Sequence, residues 1–274
     1  MPLFSPPQIY GIIGQPLGHS LSPLVHTTGF KSLGLDAVLT PWPLDYEKLP
    51  LFFEAFRLLN FQGASVTIPH KEAVLPFLDQ LSDRARALGA VNLIYRRDGL
   101  VCGDNTDGQG FIAPLKDRGL SPATRVLILG AGGAARAAAA GLLELGLSDL
   151  TVCAPSERRP LELARTFGLK TVPWARRGEE PYALVVNATP RGLKGQAEGE
   201  TAYQAAWFTG RQGLAYDLVY TPRTTRFLAE AKAAGWETID GLAMFLGQAE
   251  AQFLTWTGRR LPPEAGQKAA EALG

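Results

Sequence analysis

Two cysteines, three histidines and two methionines are all that this 274-residue chain holds of those residue types. Cys102 and Cys153 form no CxxC pair and have no nearby histidine, so a structural zinc site lacks its ligands. A chain of this length buries a large core without staples, so the two cysteines need no bond. The histidines, His19, His26 and His70, are not spaced as a metal triad, and no metal is expected. Charge is also sparse, at 19% Asp, Glu, Lys and Arg, with a net value of +1 and no basic block. Nucleic acid and anionic membranes are therefore unsupported as partners. Lys and Arg are missing before Lys31, so the charged opening of a secretory signal is not present, and a cytoplasmic location is expected. The most apolar stretch, 126–147, contains Arg136, Glu144 and several glycines. It reads as a strand, a turn and a helix rather than a membrane span.

Hydrophobic residues make up 46% of the chain, with 30 glycines and 20 prolines, which suits a folded protein with many tight connections. The length suggests about two domains. Strands are expected at 8–14, 37–42, 63–68, 125–129, 150–154, 170–172, 183–187 and 213–218. A hairpin over 92–103 turns at Asp98-Gly99. Helices are expected at 22–34 with Ser22 as N-cap, at 49–59, 71–80, 82–89, 109–117 and 159–167, and over most of the tail after Gly241. In helix 49–59 the expected apolar face is Leu51, Phe52, Ala55, Phe56 and Leu59. In the tail it is Met244, Phe245, Ala249, Phe253 and Trp256. Strands alternating with helices imply an α/β fold with parallel pairing.

Gly130, Gly132 and Ala135 match G-x-G-x-x-G/A after a dense apolar strand and at the start of an alanine-rich helix. Gly130 permits the tight turn, Gly132 lets a pyrophosphate approach the backbone, and Ala135 lets the helix pack closely. Free N–H groups at the helix start then face the phosphates. The next strand ends at Ala154-Pro155, followed by Ser156, Glu157, Arg158 and Arg159. No acid sits at its tip. The serine and arginines suit a ribose 2′-phosphate, whereas Glu157 suits a 2′-hydroxyl.

Several segments together resemble the shikimate dehydrogenase family. They are Gly18-His-Ser-Leu-Ser-Pro23, Ser65-Val-Thr-Ile-Pro-His-Lys71, Gly89-Ala-Val-Asn92, Gly103-Asp-Asn-Thr-Asp-Gly108, Gly130-Ala-Gly-Gly-Ala134, Asn187-Ala-Thr189, Tyr216-Asp-Leu-Val-Tyr220 and Asp240-Gly-Leu-Ala-Met244 with Gln248. The resemblance spans nearly the whole chain. It implies a two-domain α/β protein: a substrate domain with a mainly parallel sheet, residues 1–107 completed by C-terminal helices 242–274, and a Rossmann-like NADP-binding domain, 108–241. It implies NADPH-linked reduction of 3-dehydroshikimate to shikimate, by a monomer or homodimer. Ser20 and Ser22 would hold the substrate carboxylate. Thr67, Lys71, Asn92 and Asp107 would meet the ring hydroxyls, joined by Tyr220 and Gln248. Cofactor contacts would come from Gly130, Ala131, Gly132, Gly133, Ala134, Ser156, Arg158, Arg159, Thr189, Leu218 and Gly241.

Residue chemistry agrees with a small polyhydroxylated carboxylate as substrate, because these motifs offer short hydrogen-bonding groups. Reducing a ketone leaves an oxyanion that needs a proton, which Lys71 can donate while Asp107 holds the ammonium. Read as a first-turn residue of helix 71–80, Lys71 also opposes the helix dipole, a small cost that hints at function. Family members specific for NADP carry Asn-Arg-Thr where this chain has Ala154-Pro155-Ser156, and of that pattern only the later arginine, Arg159, is matched. The alternatives are a quinate/shikimate dehydrogenase using NAD and a non-catalytic dinucleotide- or shikimate-binding regulator. Lys71 and Asp107 argue against the regulator, as does the lack of a DNA-binding segment.

Overall fold

The computed structural model describes residues 7–18, 20–59 and 61–274. They form two compact units, one of residues up to Thr106 with Ala249–Ala272, the other Asp107–Gln248.

The first unit is built on β1 (Gln8–Gly14), α1 (Ser22–Ser32), β2 (Ala37–Pro43), α2 (Leu49–Leu58), β3 (Gly63–Val66), β4 (Gln80–Leu81), α3 (Asp83–Leu88), β5 (Leu93–Arg97) and β6 (Leu100–Asp104). Its sheet has the order β2-β1-β3-β5-β6-β4. β1 pairs in parallel with β2 and β3, and β4 with β6, while β5 is antiparallel to β3 and β6. The β5–β6 hairpin turns where expected, with Asp98 at φ 52° and Gly99 at φ 81°. Two successive positive φ values are what a two-residue turn between twisted strands requires. Ser82 caps α3 by accepting from the Ala85 N–H, and Gly89 ends it in the left-handed region.

Three expectations need correction here. Residues 71–80 are not a helix: turns run to Val74, a short 3-10 turn covers Leu75–Phe77, and the chain then extends into β4. Pro76 lacks an amide to give, and Gln80 and Leu81 register with Cys102 and Gly103. The Asp79 carboxylate secures the segment, accepting from the Val101 N–H at 2.7 Å and from both terminal nitrogens of Arg57. Lys71 therefore opposes no helix dipole. In α2 the spacing is helical but the phase differs: Leu49, Phe52, Phe53 and Phe56 are buried, while Leu51 and Leu59 are 67% and 62% exposed. Ser22 is not the N-cap of α1. That position is Leu21, without a side-chain cap, and the Ser22 N–H donates instead to Ser20 Oγ at 3.3 Å.

The second unit contains α4 (Asp107–Ile112), β7 (Val126–Leu129), α5 (Gly133–Glu144), β8 (Leu150–Cys153), α6 (Arg158–Phe167), β9 (Lys170–Thr171), β10 (Leu184–Asn187), α7 (Ala205–Phe208), β11 (Leu214–Asp217), α8 (Arg226–Ala233) and β12 (Glu237–Ile239). The helix expected over 109–117 is thus shifted and shorter, with a 3-10 turn following at Ala113–Leu115. All five strand pairings are parallel, in the order β12-β11-β10-β7-β8-β9. Counted from β7, this is the doubly wound order of dinucleotide-binding sheets. β7 is buried on both faces: Val126 and Ile128 enter one core layer, Leu127 and Leu129 the other. That explains its unbroken apolar run.

α9 (Gly241–Thr257) and α10 (Pro263–Leu273) end the chain. The boundary between the units falls inside α9, after Gln248, while the expected boundary at 242 lies in the first turn of the same helix. Of the tail's expected apolar face, Ala249 and Phe253 are fully buried. Among the described residues no helix is long and apolar enough to cross a membrane.

Candidate functional site

In the first unit the polar candidates collect where strands end. Ser20 is half-buried and Ser22 buried at the start of α1. Thr67 follows β3, its N–H donating to the Ile13 carbonyl at 2.9 Å. A Cβ on Gly14 would lie 2.3 Å from Thr67 Cγ2, so β1 needs glycine at its end for Thr67 to sit there. Lys71 is half-buried, and its carbonyl accepts from the Val91 N–H at 2.7 Å, which ties the lysine turn to the segment that carries Asn92 into β5. His70 is buried, with its Nε2 2.6 Å from the Leu44 carbonyl. Nε2 must be the donor to that carbonyl, so His70 serves the packing of the turn.

Asn92 is buried between β3 and β6. Its Oδ1 accepts from the Thr106 N–H at 2.8 Å, and its Nδ2 donates to Thr106 Oγ1 at 3.0 Å. Its carbonyl accepts from the Val66 N–H at 2.9 Å and from Gln252 Nε2 at 3.0 Å. Neither Thr106 nor Gln252 is among the site residues expected from the sequence. The available signal for Gln252 is that it lies one helical turn beyond Gln248. His26 is fully buried, its ring 4.9 Å from that of Trp256, and loss of hydration lowers its pKa to about 3. It stays neutral in the core. His19 lies outside the described residues.

In the second unit, Asp107 is the half-buried first residue of α4. Gln248 lies on α9 against α4: a Cβ on Gly110 would fall 2.5 Å from the Gln248 nitrogen. Tyr220 packs on Phe245 with ring centroids 5.7 Å apart, and burial raises its pKa.

The glycine turn has the form a dinucleotide needs. Gly130 has φ 114°, and a Cβ there would strike the Ala188 carbonyl oxygen at 2.7 Å. It lies where β7 and β10 adjoin, at the point of strand-order reversal. Above Gly132 and Gly133 a Cβ would meet nothing within 4 Å, both are exposed, and the first turn of α5 carries no side-chain cap and no acid. Ala131 is half-buried and Ala134 exposed beside them. An open backbone cradle at a helix N-terminus fits a pyrophosphate.

Around it, Asn187 is fully buried, donating from Nδ2 to Asp217 Oδ1 at 2.9 Å and accepting at Oδ1 from Thr189 Oγ1 at 2.6 Å. The Thr189 hydroxyl is thereby committed inside the loop. Burial raises the Asp217 pKa to about 6, although Thr225, Asn187 and the Val219 N–H all donate to it. Gly241 is packed on Leu218, where a Cβ would lie 2.5 Å from the carbonyl oxygen. Ser156, Arg158 and Arg159 are exposed after β8. The Arg158 Nε donates to Glu162 Oε1 at 2.6 Å.

Residues 12–94 match the family model described as the shikimate dehydrogenase substrate binding domain. The chain is 54% identical over 270 residues to the shikimate dehydrogenase (NADP(+)) of Pelobacter propionicus, covering 98% of each protein. A crystal structure of shikimate 5-dehydrogenase from Thermus thermophilus, in complex with NADP(H) and shikimate, is similar with a TM-score of 0.88 and 39% identity, over 97% of this chain and 100% of that one. Quinate dehydrogenase from Corynebacterium glutamicum in complex with NAD matches with a TM-score of 0.89 and 29% identity, over 97% and 99%.

Proposed function

The chain belongs to the shikimate dehydrogenase family, and from that premise we propose that it catalyses the reversible NADPH-linked reduction of 3-dehydroshikimate to shikimate in aromatic amino-acid biosynthesis. The observation that carries this reading is the complete polar set, Ser20, Ser22, Thr67, Lys71, Asn92 and Asp107, in a chain 54% identical to a shikimate dehydrogenase.

Bound NADPH supplies the hydride for the substrate ketone. Lys71 gives its proton to the carbonyl oxygen as charge develops there, and takes it back in the reverse direction. The Ser20 and Ser22 hydroxyls donate to the substrate carboxylate, which distinguishes an acid from a neutral sugar-like ring. Thr67, Asn92, Asp107, Tyr220 and Gln248 meet hydroxyls of the ring. In this reading the first unit makes up most of the substrate domain, and the second holds the cofactor. The N–H groups of 130–134 bind the pyrophosphate, Ser156, Arg158 and Arg159 face the 2′-phosphate, and Thr189, Leu218 and Gly241 border the cofactor. The same reading places a monomer or homodimer in the cytoplasm, acting on a small-molecule substrate.

Lys71→Ala tests it. We expect kcat to fall on the order of 10²-fold with a modest change in the shikimate KM, since the proton is needed in the transition state. A folded variant with unchanged kcat overturns the assignment. A second reading, NAD-linked oxidation of quinate or shikimate, draws on Glu157 and on the engagement of Arg158 by Glu162. The kcat/KM values for shikimate and quinate with NADP+ and NAD+ separate the two.

A further inference from the structure

We propose that Gln252 is a positioning residue for the substrate, holding both the Thr67 segment and Asn92 in place from behind through its side-chain amide. The inference rests on the reading of Thr67 and Asn92 as substrate contacts. Gln252 lies on α9 and is 1% exposed. Its Oε1 accepts from Ser65 Oγ at 2.6 Å, and its Nε2 donates to the Asn92 carbonyl at 3.0 Å. Ser65 precedes Thr67 by two residues on β3, so one side chain spans the two segments that carry ring-hydroxyl contacts. The directions of the two bonds are fixed. The Asn92 carbonyl can only accept, so the amide nitrogen must face it, and the oxygen is left for the Ser65 hydroxyl. A side-chain amide donates on one side and accepts on the other without carrying charge at any working pH.

The surroundings explain why it is neutral. Phe253 is fully buried beside it on α9, and His26 of α1, whose ring is within hydrogen-bonding reach of the Gln252 side chain, is buried with its pKa lowered to about 3 by loss of hydration. Asp104, whose carbonyl accepts from the Asn92 N–H, turns its carboxylate to Arg84 and Ser82. On α9 itself, Glu250 pairs with Arg260. A fully apolar residue at 252 would fill the space but leave the Ser65 hydroxyl without this acceptor and both segments without their tie. Small displacements of substrate contacts are enough to cost binding and rate.

Two variants and one control test this in the full-length enzyme. Gln252→Leu should raise the shikimate KM on the order of tenfold while leaving the Kd for NADP+, measured by titration, unchanged. Gln252→Glu keeps the acceptor, but as a carboxylate it cannot donate to Asn92; its burial raises its pKa, and protonation restores the donor. Its shikimate KM, relative to the parent at each pH, should therefore fall back toward parity as the pH is lowered. A general structural role would lower thermal stability without that pH-dependent recovery. If Gln252→Leu does not fold, the pH profile of Gln252→Glu decides alone. A parent-like KM in folded Gln252→Leu, or a Gln252→Glu defect that does not recover on acidification, overturns the inference. Asn92→Ala is the control: if it leaves the shikimate KM unchanged, the substrate-site reading fails and the inference falls with it.

Discussion

Arg158 and Arg159 are adjacent, yet among the described residues only Arg158 has a hydrogen-bonded carboxylate partner. Arg158 is 86% exposed and is drawn back along its helix by Glu162, an i,i+4 pair that raises the arginine's pKa and lowers the carboxylate's. Among the described residues no hydrogen bond or ion pair engages Arg159 in this way. Both sit in the first turn of α6, where cations oppose the dipole and a bound phosphate would offset that cost. We expect Arg159→Ala to raise the KM for NADP+ somewhat over tenfold and leave that for NAD+ nearly unchanged, because a charge-assisted bond to the 2′-phosphate is lost. Glu162→Gln releases Arg158 and should lower the NADP+ KM slightly. The check is the ratio of kcat/KM for the two cofactors in parent and variants. A parent that prefers NAD+, with Arg159→Ala silent, promotes the quinate/shikimate reading.

Between elements, glycine decides how close two helices come. A Cβ on Gly110 of α4 would lie 2.7 Å from the Met244 carbonyl oxygen and 2.7 Å from the Gln248 Cβ; one on Gly247 would lie 2.8 Å from the Gly110 carbonyl oxygen. The helices therefore touch backbone to backbone beside Gln248. On the other side of α4, a Cβ on Gly141 of α5 would lie 2.8 Å from the Gly108 carbonyl oxygen. Gly110→Ala must push α4 and α9 apart. It should cost about 1–3 kcal/mol of stability and lower kcat/KM for shikimate by moving Gln248 and Asp107 off their positions. Thermal unfolding with steady-state kinetics checks both; parent-like values in each would show the contact to be slack.

Across the molecule, the two units carry buried groups of opposite pH response. His26, in the first, has its pKa lowered to about 3, below the ordinary 6.5. Its contribution to stability is present above about pH 6.5 and is lost as pH falls toward 3. Asp217, in the second, has its pKa raised to about 6 from 3.8. Its contribution is present below about pH 4 and is lost as pH rises through 6. Between about pH 6 and about pH 4 the two groups act in opposite directions, each by about 1.4 kcal/mol per pH unit. Relative to the parent, His26→Phe should gain stability on acidification over that window and Asp217→Asn should lose it. Calorimetric unfolding at several pH values measures both differences, and curves parallel to the parent's would remove these groups from the account.

The sequence by itself determined the α/β class, the glycine turn and most of the strands. Apolar runs such as 126–129 and 183–186, short and bounded by turn residues, suit a strand buried on both faces, and Asp98-Gly99 suits a two-residue hairpin turn. It also carried the family motifs, and with them the polar side chains at the strand ends. Tertiary structure decided the rest. Residues 71–80 have helical spacing but become turns and an edge strand, because pairing with β6 and the Asp79 contacts outweigh a weak local preference around Pro76. The inward phase of α2 is set by which of several leucines and phenylalanines meet the sheet, and spacing alone does not rank them. The short β12 and α8 pack against β11. Gln252 was not legible as a site residue because its partners, Ser65 and Asn92, lie 187 and 160 residues away. A hydrogen bond over that separation exists only once the tail helix has returned to the first unit.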